Sequence, residues 1–307
     1  MACIADGYHS VYWTCRARRS DDGGREKGCS TMHLVTGATG NVGSEVVKAL
    51  ASAGEGVRAL VRRPDAVTLP EGVEAVGGDL DRPQSLKDAL TGVRAVFLLP
   101  GYKDMPGLLD EIRSAGVKKV VLLSGASAGS SDLDNAVTRY MAASEAAVRE
   151  SGLAWTFLRP SAFMSNALRW LPQIQAGDEV RVPFPTVRTA SLDPFDLGAV
   201  AARALIGDDH EGEILQPTGP EALLPAEQVA VLARAIGREL RAVELTNEQA
   251  RTEMTAAMPV EYLDAFFSFY VKGTLDESIV RPTVLEVTGR KPRTFAEWAG
   301  AHADDFR

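Results

Sequence analysis

The sequence predicts an α/β protein in which a doubly wound parallel sheet is followed by a smaller, mixed C-terminal lobe. Three observations carry this reading. From Met32 onward short apolar runs alternate with amphipathic segments, in the rhythm of repeated strand–helix–strand units. Two of the runs, VRAVFLLP (93–100) and VKKVVLLSG (117–125), lack a polar alternation, as strands covered on both faces do. Beyond Pro160 the rhythm breaks, with prolines interrupting RVPFPTVRTASL and short strands mixing with helices.

The elements follow in order. MHLVTG is a strand, NVGSEVVKALASAG a helix with Val42, Val46, Val47 and Leu50 on one face, and GVRALVRR the next strand. GVEAVGGD is a third strand, and RPQSLKDALTG a helix whose Pro83 sits where a first-turn proline is tolerated. The two apolar strands flank a short helix around LLDEIRSAG. After the loop GASAGSSDLDN, AVTRYMAASEAAVRESG forms a long helix stopped by Gly152, and LAWTFLRP a further strand. In the C-terminal part FMSNALRWLPQIQAG, DPFDLGAVAARALIG (capped by Asp193), AEQVAVLARAIG, VEYLDAFFSFYVKG and TFAEWAGAHADDF are helices, and GEILQPTG and LRAVELT are strands.

Composition narrows the function. With 307 residues the chain buries a sizeable core, and 45% hydrophobic with 24% charged residues is ordinary for a globular protein. A net charge of -8 argues against general nucleic-acid binding, which needs a basic stripe. No apolar run approaches the roughly 18 residues of a membrane span, so no membrane partner is expected. His9, His33, His210 and His302 are scattered, so no metal site is expected. Cys3, Cys15 and Cys29 all precede Met32, which leaves the main body without thiols and suits a reducing cytoplasm. Residues 1–31 have no hydrophobic periodicity and are expected to be a disordered extension or a start-site artefact, Met32 being a natural first residue.

The chemistry begins at TGATGNVG. Gly37, Gly40 and Gly43 follow a strand and open a helix, where glycine lets backbone amides approach a pyrophosphate held at the helix N-terminus. Thr39, Asn41 and Val42 complete this loop. The fold is therefore Rossmann-type, with residues 32–160 as the NAD(P)-binding core and 161–307 as a substrate lobe interleaved with the last sheet strands. At the end of the second strand, where NAD-selective sites carry an acid, stand Arg62 and Arg63, so NADP(H) is favoured over NAD(H). Asp79 and Leu80, after the third strand, approach the adenine, Asp79 being equally placed to cap a turn.

The ordered combination of TGATGNVG, VRALVRRPD, GGDLDRPQSL, VVLLSGASA, SGLAWTFLRPSAFMSN, GPEAL and TGRKPRTFAEW resembles the NmrA-like branch of the atypical short-chain dehydrogenases/reductases, from Met32 nearly to the C-terminus. The resemblance implies an NAD(P)H-dependent oxidoreductase, quinone-reductase-like, or alternatively a non-catalytic dinucleotide-binding redox regulator. It also implies that the LRPSAF segment, with Pro160, lies near the nicotinamide. Standard short-chain reductases place a lysine four residues after the proton-donating tyrosine. Here Tyr140 is followed by Ser144, which cannot supply the charge.

A phenol near pKa 10 without that lysine is a poorly tuned acid, so quinones and conjugated carbonyls are the favoured small-molecule substrates. Ser124, at a strand end facing the crevice, and Lys103, in the preceding loop beside Tyr102, are further catalytic candidates. Phe163, Met164, Asn166 and Trp170, with Phe184 and Phe195, are the expected substrate walls for a flat aromatic or quinone-like ligand. MPVEYLDAFFSFYVKG reads as a lid or an association surface, which leaves a homo-oligomer open.

Overall fold

β1 (Met32–Val35) runs through the glycine turn into α1 (Gly43–Ser52), whose inward stripe is Val46, Val47 and Leu50. The computed structural model describes residues 31–307. The expectation for residues 1–31 lies outside that range except for Thr31, whose amide donates to Glu55 at 3.1 Å. β2 (Gly56–Val61) and β3 (Val73–Gly77) follow, then α2 (Lys87–Leu90) behind a 3-10 turn that starts on Pro83. β4 (Val93–Leu98) leads to α3 (Met105–Ser114), capped by the Asp104 carboxylate, which accepts from the Gly107 amide. β5 (Lys119–Leu123) precedes α4 (Ala136–Glu150), whose cap Asn135 accepts from the amides of Val137 and Thr138. β6 (Ala154–Leu158) ends the first half.

The second half holds α5 (Leu171–Ala176), β7 (Glu179–Val182), α6 (Pro194–Ile206), β8 (Glu213–Leu215), α7 (Pro225–Ile236) and β9 (Arg241–Glu244). It ends with α8 (Asn247–Thr255), α9 (Val260–Tyr270), α10 (Thr283–Thr288) and α11 (Phe295–Ala301). The expected helix over 163–177 divides into a 3-10 segment, Met164–Trp170, and α5, because Pro172 has no amide to continue the ladder. Asp193 caps α6 as expected, accepting from the Phe195 amide. α8 escapes the hydrophobic pattern, but Thr246 and Gln249 form a capping box at its start.

All seven strands of the main sheet are parallel, in the order β3-β2-β1-β4-β5-β6-β8. The order reverses between β1 and β4, which opens a crevice at the carboxyl ends of those strands. One face of the sheet is covered through α1 and α6, where Val46, Leu50, Leu197 and Val200 meet Phe97. The other is covered through α2, α3 and α4, where Leu90, Leu108, Ile112 and Val148 meet Phe157. β7 and β9 pair with each other, apart from the main sheet, beside a core built on Trp298 and Phe295. β8 and α6 belong to the main sheet and its cover, so the C-terminal half is threaded through the first.

Candidate functional site

The turn after β1 is shaped by two glycines. Gly37 has φ +61°, a left-handed conformation, and a Cβ on Gly43 would stand 2.1 Å from the Gly37 carbonyl oxygen. The Gly40 amide donates to that same oxygen at 2.9 Å, closing the turn. Thr39, Gly40 and Asn41 are exposed, while Val42 is buried under α1. No side chain caps α1, whose positive end directly follows the turn. These are the features a dinucleotide pyrophosphate requires, and the residues present fit it. Asn41 reaches across to Ser165 through a long contact of 3.5 Å, which ties the turn to the segment after β6.

Arg62 and Arg63 are exposed at the carboxyl end of β2, and among the described residues neither is in an ion pair. Asp79 sits in a turn: its carboxylate accepts from Arg82 Nε at 3.0 Å and from the Asp81 amide at 3.1 Å. The Arg82 bond first, then that amide and the charge of Arg62, hold the carboxyl below the usual range. Burial lifts the Tyr102 phenol above its ordinary value against the pull of its hydrogen bond to Thr36 and of Arg62. Arg62 therefore lies within electrostatic reach of both Asp79, after β3, and Tyr102, after β4. Leu80 is half-buried against the core beneath β4.

Beside this crevice lies a cavity of about 610 Å³. Its walls come from the loops after β4, β5 and β6, from α4, from α9 and from the segment after α9. Six rings line it: Tyr140, Phe163, Tyr262, Phe266, Phe269 and Tyr270. Ser124, Pro160 and Asn166 line it too. Tyr140 stands edge-to-face on Tyr262, 6.3 Å between centroids. Burial, with Tyr262 adding to it, raises the Tyr140 phenol above its ordinary value, the direction opposite to that produced by a neighbouring lysine.

Ser124 is buried, and its hydroxyl donates to Glu145 Oε1 at 2.7 Å. Glu145 is itself clamped by Arg159 through two bonds of 2.8 and 2.7 Å and by Arg149 at 3.2 Å. Ser124 thus offers the cavity lone pairs rather than a proton.

Several expected placements are corrected. Ser144, at the position of the absent lysine, is used within the fold: its buried hydroxyl accepts from the Gly101 amide at 3.0 Å and donates to the Tyr140 carbonyl at 2.8 Å. It pins the loop after β4 onto α4. Lys103 is exposed and outside the cavity wall, because its loop turns its side chain to solvent. Met164 is buried in the core built on Trp298, and Trp170 packs against the same core, since the 3-10 segment turns these side chains away from the cavity. Phe184 packs in a cluster with Phe267, and Phe195 lies under the guanidinium of Arg293 at 3.6 Å. The sequence reading missed Tyr262, Tyr270, Glu277 and Arg169 as cavity residues. The aromatic density of α9, expected to form a lid or an association surface, was the available signal; the helix places Tyr262, Phe266, Phe269 and Tyr270 on the cavity wall. Among the described residues no helix is long and apolar enough to cross a membrane.

The NAD(P)H-binding family profile matches residues 37–189. The chain is 43% identical over 280 residues to a (4-alkanoyl-5-oxo-2,5-dihydrofuran-3-yl)methyl phosphate reductase of Streptomyces griseus, covering 90% of this chain and 99% of the relative. It is 40% identical over 286 residues to an NAD(P)H azoreductase of Xenophilus azovorans, again covering 90% and 99%. Its fold matches an NADPH-dependent quinone oxidoreductase of Escherichia coli solved with NADPH, at TM-score 0.72 and 21% identity, over 88% of this chain and 99% of that one.

Proposed function

The chain belongs to the NAD(P)H-binding family, in the NmrA-like branch of the atypical short-chain dehydrogenases/reductases, and we propose that it reduces a quinone or a conjugated carbonyl with NADPH. It is an NAD(P)H-dependent oxidoreductase. The observation that supports the finer reading is the ring-walled cavity of about 610 Å³ at the carboxyl ends of β4, β5 and β6, whose Tyr140 lacks a cationic partner. Flat, electron-poor acceptors fit such walls and ask little of an acid. The 4-alkanoyl-5-oxo-2,5-dihydrofuran of the Streptomyces relative is a conjugated carbonyl of this kind.

In this reading residues 32–160 hold the dinucleotide, and 161–307 supply about half of the substrate wall, including five of its six rings. The Gly37–Gly43 turn and the α1 N-terminus hold the pyrophosphate, and Arg62 and Arg63 select a 2′-phosphate. Asp79 and Leu80 flank the adenine, and Pro160 backs the nicotinamide end. When bound, the dinucleotide supplies hydride. Phe163, Phe266 and Phe269 exclude water from the cavity, and Asn166 sits at its rim with its side-chain oxygen accepting from Arg169 at 2.9 Å.

The test is the loss of nicotinamide absorbance when the protein is mixed with NADPH and a panel of quinones, enones and unsaturated lactones. Turnover of these above simple ketones is expected. Binding of NADPH without turnover across the panel overturns the reading.

A further inference from the structure

Glu277 stands on the wall of the same cavity as Tyr140, in the segment after α9. It is only 9% exposed, yet among the described residues no cation lies within ion-pair distance of it. The other buried carboxylates among the described residues are each paired: Glu145 has two arginines, Asp193 has Arg293 at 3.4 Å, and Asp196 has Arg290 at 2.9 Å. A buried carboxyl without a counter-charge is held most cheaply in its neutral form, as an O–H donor. Its backbone is fixed, its carbonyl accepting from the Ala190 amide at 2.7 Å, and Tyr270 donates to Oε2 at 2.6 Å. From the cavity wall the carboxyl is placed to carry a proton to a bound substrate.

We propose that Glu277 is the acid that protonates the reduced substrate, with Tyr270 as its positioning residue, replacing the tyrosine–lysine pair that this chain lacks. The proposal rests on the reductase reading. The substrate's conjugated C=C–C=O takes hydride from the reduced dinucleotide, which leaves oxidised. The enolate oxygen so formed takes the proton of the Glu277 carboxyl, the enol relaxes to the saturated carbonyl, and water returns a proton to the carboxylate. The titratable and charged groups facing Glu277 are Tyr270 and Tyr262 on α9, Tyr140 on α4 and Arg169 on the 3-10 segment. Burial raises the Glu277 carboxyl above its ordinary value, outweighing the Tyr270 bond and the Ala162 amide that favour the anion. Burial and Glu277 together hold the Tyr270 phenol well above its own, so Tyr270 keeps its proton and orients the acid.

Two measurements on Glu277→Gln test this. In the infrared, wild type at neutral pH is expected to show a protonated-carboxyl stretch that is missing from Glu277→Gln, and its absence from wild type overturns the proposal whether or not a substrate is found. In kinetics, Glu277→Gln is expected to lower enone reduction about 100-fold or more, the usual contribution of a general acid. Reduction of a cationic triarylmethane dye, which takes hydride and needs no proton, should fall far less. Equal losses on both acceptors, or a loss confined to the cationic dye, overturn the proposal. Tyr270→Phe, which leaves the carboxyl in place, should lower kcat for the enone with little change in KM, and an unchanged kcat removes Tyr270 from the mechanism. Inactivity of wild type on every acceptor rejects the reductase reading, with the infrared band still deciding the state of Glu277.

Discussion

Replacing Glu145 by Gln should destabilise the protein by about 3–5 kcal/mol, the cost of breaking a buried ion pair from one side. Glu145 is 1% exposed and receives four donated bonds on two oxygens. Ser124 and Arg159 Nε share Oε1, and Arg159 and Arg149 share Oε2. Gln keeps one of those oxygens and puts an NH₂ in place of the other, so donor meets donor at one end whichever way the amide turns. The Arg159 side chain, 11% exposed, is left without its charge partner. Arg149 is 42% exposed and contributes little of the loss. At about 2–4 °C per kcal/mol for a chain of this class, the melting temperature should fall by roughly 10 °C. Urea unfolding of wild type and Glu145→Gln, followed by circular dichroism, measures the difference directly. A control is Arg113→Ala, which breaks the exposed pair with Asp110 and should cost no more than about 1 kcal/mol. If Glu145→Gln costs as little as the control, the Ser124–Glu145–Arg159 cluster is not the buried charge pair described above.

Gly43→Ala should abolish tight NADPH binding, because a Cβ 2.1 Å from the Gly37 oxygen forces the turn apart by about 1 Å; fluorescence titration giving an unchanged Kd would refute the cradle. Arg62→Ala and Arg63→Ala should each weaken NADPH by roughly tenfold and leave NADH nearly untouched, as loss of a charge-assisted bond to a 2′-phosphate does, and equal losses for both dinucleotides would contradict that assignment. His33 is fully buried, and burial holds its imidazole below the ordinary 6.5 against the opposing pull of Glu55. The unfolded chain therefore binds this proton more readily, so the stability His33 contributes is complete above about pH 6.5 and is lost as pH falls through the depressed value. The urea midpoint should drop over that window in wild type and drop less in His33→Gln. Tyr140→Phe should slow quinone reduction less than Glu277→Gln does, measured as kcat/KM with the same acceptor.

Local chemistry made much of this protein readable from its residues. The apolar runs of β4 and β5 have nowhere to go but the middle of a covered sheet, and a glycine triplet between a strand and a helix has few uses other than holding a phosphate. A cap such as Asp193 acts within a few residues, so sequence spacing suffices to find it. What sequence spacing could not show is which way a side chain turns once an element is packed. Met164 and Asn166 lie two residues apart, yet the 3-10 segment buries the first in the lobe core and leaves the second on the cavity wall. Ser144 occupies the position of the missing lysine, but the fold uses it to hold Gly101. Ser124 meets Glu145 from 21 residues away, and Glu277 reaches the cavity from 137 residues beyond Tyr140, because the chain after α9 folds back over the sheet's carboxyl edge. The fold and the dinucleotide turn were thus determined by contacts between near neighbours, while the acid–base character of the cavity was decided by tertiary packing, which sets burial and counter-charge for each group.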